Sequence, residues 1–154
     1  MTSRRLRAVA FAVLALTARH ANAEVAGPLA SARSLRCTFQ LSVAGTWKAD
    51  GAAETALKTP KLILLFESID PDEGTAKMRS GTMLSDIVAR RAGGYLHFMQ
   101  SFRSGPLYTT TVFDKETSKG KFKAVHSRHE YFTIPVPGAT SSPEQYYGEC
   151  EIRP

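Results

Sequence analysis

The stretch that decides the fold is LRCTFQLSVAGTWK, residues 35–48. Its odd positions are mostly apolar, from Leu35 to Trp47, and its even positions are mostly polar, from Arg36 to Lys48. A period of two is the pattern of a β-strand, because successive side chains point to opposite faces of the strand. We therefore predict a long strand with one face on a hydrophobic core and the other in water, as is common in antiparallel sheets.

Further segments rich in β-branched and aromatic residues follow, separated by turn signals such as Asp50-Gly51 and Gly93-Gly94. We predict strands at residues 61–70, 75–80, 85–91, 95–102, 107–113, 121–132 and 145–152, and a loop or single helical turn at residues 52–59. About eight strands, mostly with short connections and no strong helical segment, are typical of an all-β sandwich or barrel.

Two cysteines, Cys37 and Cys150, are the only ones in the chain, and an even pair in an oxidising compartment predicts a disulfide. Strands adjacent in sequence are usually adjacent in a sheet, so a meander leaves the first and last strands as opposite edges. A bridge needs Cα atoms within about 7 Å, which brings those edges together. We therefore favour a closed antiparallel β-barrel, with a two-sheet β-sandwich as the alternative.

The first 23 residues have the pattern of a secretory signal peptide. A basic start precedes an apolar run at residues 8–18 that is too short to span a bilayer, and Ala21-Asn22-Ala23 supplies small residues for cleavage. We expect cleavage between Ala23 and Glu24. The mature chain is then secreted or periplasmic, without stable membrane insertion.

The expected mature chain has a flexible arm at residues 24–34 and one domain at residues 35–154. Four of the 20 basic residues lie in the leader, so 16 basic and 14 acidic residues remain and the mature net charge is +2. A nucleic-acid surface requires a basic footprint, which this small charge does not supply. We therefore expect no nucleic-acid partner.

The triplet Gly45-Thr46-Trp47 resembles the G-x-W signature of the lipocalins and their relatives in the calycin group. Together with about eight meandering strands, this resemblance implies an up-and-down barrel around a small apolar ligand, with Trp47 closing one end. The mature chain as a whole also resembles small exported bacterial proteins.

The densest polar cluster is VHSRHEY, residues 125–131. On a strand, His126, Arg128 and Glu130 share one face, which continues the inward parity of Phe122. One interpretation is a surface strand with a cross-strand ion pair. The other is a polar mouth or pocket, in which these three residues bind a ligand together with Trp47.

The sequence shows no signature of a cofactor, metal or catalytic site. His126 and His129 point to opposite faces of a strand, residues 70–74 lack calcium-loop spacing, and no G-x-S-x-G motif occurs. We therefore predict an exported, non-enzymatic binding protein for a small apolar or amphipathic ligand. Two alternatives stay open: an interaction or structural module with a solid barrel that contacts envelope proteins, and an exported hydrolase that uses His126 or His129.

Overall fold

The computed structural model describes residues 27–132 and 142–154. These residues contain nine β-strands and one short 3-10 helix. The elements in chain order are a 3-10 helix at Pro28–Ser31 and the strands β1 (Leu35–Trp47), β2 (Ala53–Lys58), β3 (Leu62–Asp70), β4 (Thr75–Ser80), β5 (Met83–Ala92), β6 (Tyr95–Ser101), β7 (Leu107–Glu116), β8 (Phe122–His129) and β9 (Glu144–Ile152). The predicted signal peptide and its cleavage site lie outside the described residues. Within these ranges, no helix is long and apolar enough to cross a membrane.

Eight of the strands form a closed antiparallel barrel. From β3 to β9 each strand pairs with the next, and β1 pairs with both β3 and β9, which completes the ring. Cys37 lies directly opposite Cys150 in the β1–β9 ladder, and the two form a disulfide with their Cα atoms 4.0 Å apart. The predicted all-β meander, its closure and the disulfide are confirmed.

Strand β2 corrects the loop or helical turn that we predicted at residues 52–59. Residues 53–58 pair with residues 42–47 of β1, and residues 62–66 of β3 pair with residues 35–39 on the same edge of β1. The strands β2 and β3 therefore lie end to end along that edge. Pro60 lies between them, where it cannot donate a ladder hydrogen bond. All six residues of β2 are exposed. Because neither face of the strand is buried, its sequence lacks the alternation of apolar and polar residues that predicts a strand.

A β-bulge changes the inward face of β1. The register with β9 shifts between Phe39 and Leu41. The odd-numbered residues are buried up to Phe39, whereas beyond the bulge Ser42 and Ala44 are buried and Trp47 is 54% exposed. Our prediction of one apolar face along the whole stretch is correct before the bulge and wrong after it, because one extra residue reverses the parity of every side chain that follows.

A hydrophobic core fills the end of the barrel where β1 begins. The rings of Phe66 and Phe98 stack at its centre with their centroids 4.0 Å apart. Leu29 and Ala32 are buried in the same core. We expected a flexible arm at residues 24–34. Its described part, residues 27–34, packs onto the barrel.

Candidate functional site

A cavity of about 530 Å³ occupies the other end of the barrel. The β4–β5 turn (residues 80–83) and the β6–β7 turn (residues 102–106) border it, and inward-facing residues of β7 and β8 form its inner wall. The apolar part of the lining consists of Leu64, Met78, Met83, Phe102, Pro106 and Phe132. The lining therefore combines these apolar side chains with polar ones, among them Tyr108, His126 and Arg128.

Three of the predicted site residues lie on the cavity wall. His126, Arg128 and Glu130 all line it: alternation along β8 directs the first two into the barrel, and Glu130 follows directly after the strand with the same parity. Trp47 is not among the lining residues; its ring contacts Tyr131, with the centroids 5.5 Å apart. The structure thus brings together three of the four residues, and their part in ligand binding stays a prediction.

His126 is a buried, uncharged part of this wall. Its Nδ1 lies 2.8 Å from Thr110 Oγ1, and its Nε2 accepts a hydrogen bond from Arg128 Nε at 3.4 Å. Because Nε2 accepts, the proton resides on Nδ1, which donates to the Thr110 hydroxyl. Burial, together with the charge of Arg128, lowers the pKa of His126 to about 3. The imidazole is therefore neutral at physiological pH.

Arg128 is held between two aromatic rings. Its Cζ lies 5.2 Å from the ring centroid of Tyr108 and 5.2 Å from that of Tyr146, a cation–π arrangement on both sides. Within residues 27–132 and 142–154, no carboxylate forms a salt bridge with Arg128. The rings and His126 fix the guanidinium in place, and its terminal N–H groups can donate to another molecule.

The two tyrosines are fixed in turn by buried carboxylates. The hydroxyl of Tyr108 donates to Glu130 Oε2 at 2.6 Å, and that of Tyr146 donates to Glu144 Oε2. Glu144 Oε1 also accepts from Lys58 Nζ at 2.8 Å. Burial and the hydrogen bond to Glu130 raise the pKa of Tyr108 to about 12, and burial likewise raises the pKa of Tyr146. Both phenols therefore stay protonated as donors.

Sequence reasoning did not assign four members of this cluster: Tyr108, Thr110, Glu144 and Tyr146. The available signal was parity, since Glu144 and Tyr146 share the parity of the buried Cys150 on β9. Parity shows that a side chain points inward. It does not show which neighbour on the next strand the side chain meets, because that depends on the inter-strand register.

The amide oxygen of one lining residue, Gln100, is buried in the wall. Gln100 lines the cavity, and its Oε1 has no hydrogen-bond partner in the described part of the chain. The same ranges contain no group of three side chains suited to hold a metal ion. The cavity wall can therefore donate hydrogen bonds from Arg128.

Comparison with known protein families, with curated proteins and with solved structures finds no match to this chain. The eight-stranded closed barrel agrees with the fold implied by the resemblance of Gly45-Thr46-Trp47 to the lipocalins. The resemblance also implied that Trp47 closes one end of the barrel. Instead, Trp47 lies beyond the bulge and is 54% exposed.

Proposed function

We propose that the protein is an exported binding protein that holds a small amphipathic molecule in the barrel cavity without transforming it. The observation that carries the proposal is the cavity of about 530 Å³, whose lining combines apolar and polar side chains. Pockets for small ligands span about 300–1,000 Å³, and an eight-stranded barrel is wide enough to hold one such ligand.

The polar groups specify the kind of head group. Arg128 offers N–H donors beside Tyr108 on the cavity wall. A head group that accepts hydrogen bonds, such as a hydroxyl, an amide or a carboxylate, pairs with these donors. The apolar body of the ligand then lies along Leu64 and Met78.

One observation supports binding without catalysis, and a second supports a location outside the cytoplasm. Both ring nitrogens of His126 are engaged, and its lowered pKa keeps it neutral, so it is a poor general acid or base near pH 7. The disulfide between Cys37 and Cys150 suits an oxidising compartment such as the periplasm or the cell exterior.

Filling the cavity tests the proposal. Ser80 lines the cavity, and Ser80→Phe places a large side chain in it. Thr109→Phe is the matched control, because Thr109 lies between two inward-facing residues and pairs with the exposed Met99 on the outer face. We expect Ser80→Phe to weaken the binding of 1-anilinonaphthalene-8-sulfonate by about tenfold or more, measured by fluorescence titration, and Thr109→Phe to leave it unchanged. Equal loss in both variants would contradict binding in the cavity.

A second experiment tests the donors of Arg128. Arg128→Met keeps most of the side-chain volume and removes the donors, so we expect the affinity for the same anionic probe to fall about tenfold to a hundredfold. Native mass spectrometry of the exported protein, followed by solvent extraction, identifies a ligand that co-purifies. A barrel that neither takes the probe nor carries a ligand would favour the alternative of an interaction module with envelope proteins.

A further inference from the structure

Among the described strands, β2 leaves a six-residue edge of the sheet unpaired. It pairs on one side with β1, and among the described strands it has no neighbour on its other side. Strand β4 begins to pair only at Leu65 of β3, so it does not reach this edge. All six residues of β2 are exposed. A free edge of this kind presents backbone donors and acceptors that can pair with a strand of another chain.

The turn between β1 and β2 shows which backbone groups point away from β1. Lys48 N donates to Ala52 O at 2.9 Å, and Gly45 N donates to Pro143 O on the β9 side, so the even-numbered residues of this part of β1 face β2. Because hydrogen-bonded and non-hydrogen-bonded pairs alternate along an antiparallel ladder, the even-numbered residues of β2 bond to β1. Ala53, Thr55 and Leu57 therefore direct their N–H and C=O groups toward the free edge.

We propose that this edge pairs antiparallel with β2 of a second copy of the chain, about a two-fold axis at Ala56. In that register Thr55 lies opposite Leu57 of the second copy, and both direct their backbone groups to the edge, so the ladder forms. Glu54 then lies opposite Lys58 of the second copy, and the symmetry repeats this pair. An axis at Thr55 or Leu57 also permits a ladder, but it places neither charge opposite its counterpart. Charge complementarity therefore selects Ala56.

The ion pairs that Glu54 and Lys58 already form within one copy extend the same pattern of charges. Within one copy, Lys48 Nζ lies 3.5 Å from Glu54 Oε2, and Lys58 Nζ lies 2.8 Å from Glu144 Oε1. Pairing at Ala56 joins these into a row of alternating charge across the two copies: Lys48 and Glu54 of one, then Lys58 and Glu144 of the other. A lysine ammonium has three donors, so Lys58 contacts a second carboxylate without leaving Glu144.

The opposite face contributes apolar contact. Leu57 is 74% exposed. In the proposed register each Leu57 lies opposite Thr55 and diagonal to the other Leu57, a separation that long side chains can span. A six-residue strand pair buries less surface than a standard protein–protein interface, so we expect a dimer that forms reversibly with rising concentration.

Charge reversal tests the register. We expect sedimentation velocity over a concentration series to show a monomer–dimer equilibrium for the exported, disulfide-bonded protein. Glu54→Lys and Lys58→Glu each place like charges opposite one another twice, so each should raise the dimer Kd about tenfold or more. The double variant restores opposite charges and should recover most of the affinity. Thermal unfolding of each variant checks that the fold is retained.

Cysteine cross-linking gives an independent measurement. Ala56→Cys brings two thiols together at the two-fold axis, so mild oxidation should yield a covalent dimer. Ala53→Cys is the matched control: it is exposed on the same strand, and three residues on each side of the axis separate its two copies by about 20 Å. Three results would overturn the proposal: a protein that stays monomeric at every concentration, a dimer insensitive to the single reversals, or a covalent dimer from Ala53→Cys but not from Ala56→Cys.

Discussion

Replacing Cys37 and Cys150 together by alanine tests how the barrel is held closed. The bridge joins residues 113 positions apart, and its loss frees the unfolded chain from a loop of that length. The chain-entropy relation assigns such a loop about 4.8 kcal/mol at 25 °C. Native backbone pairing is unaffected, because the β1–β9 ladder runs from Leu35 to Ala44 on both sides of the bridge. We expect the variant to keep the barrel and lose stability.

The expected loss is about 3–5 kcal/mol, because residual structure in the unfolded chain reduces the full entropic value. A small domain has only about 5–15 kcal/mol of stability in total, so this is a large fraction of it. At about 4 °C per kcal/mol for a domain of this size, the Tm should fall by roughly 12–20 °C.

Guanidinium unfolding followed by far-ultraviolet circular dichroism measures the effect. The folded spectrum of the Cys37→Ala/Cys150→Ala variant should match that of the parent, with a lower denaturation midpoint. The parent under reducing conditions is the control, and its loss should develop slowly because both cysteines are fully buried. An unchanged midpoint, or free thiols titrated in the exported parent, would refute the role assigned to the bridge.

Two further predictions use matched pairs of residues. A Cβ at Gly148 would lie within 3.0 Å of the Thr38 carbonyl oxygen, whereas one at Gly45 meets no atom within 4 Å. Gly148→Ala should therefore lower the free energy of unfolding by about 3 kcal/mol in urea titration, and Gly45→Ala should have little effect. The pKa of His126 is lowered to about 3, so the unfolded state binds a proton more readily and stability falls as the pH drops from about 6.5 toward 3. Between pH 7 and pH 5 the loss should be about 2 kcal/mol, absent in His126→Gln and retained in the control His129→Gln; equal pH dependence in all three proteins would contradict this assignment.

The sequence alone determined those features that depend on local period and on residue type. Alternation from Leu35 to Phe39 predicted an inward apolar face, and the cysteine pair predicted a barrel closed between the first and last strands. The parity shared by His126 and Arg128 with the core residues of β8 placed both on the inner wall. Such predictions hold because strand geometry alternates side chains wherever the ladder is regular.

The tertiary structure decided what depends on the pairing between strands. The bulge that turns Trp47 out of the barrel arises where β1 passes β9, and no local pattern marks it. Strand β2 exists only because β1 supplies its partner. Arg128 lies between Tyr108 of β7 and Tyr146 of β9 because three strands share one register. A single chain segment contains its own period, but the register between segments is set by the packing of the whole barrel.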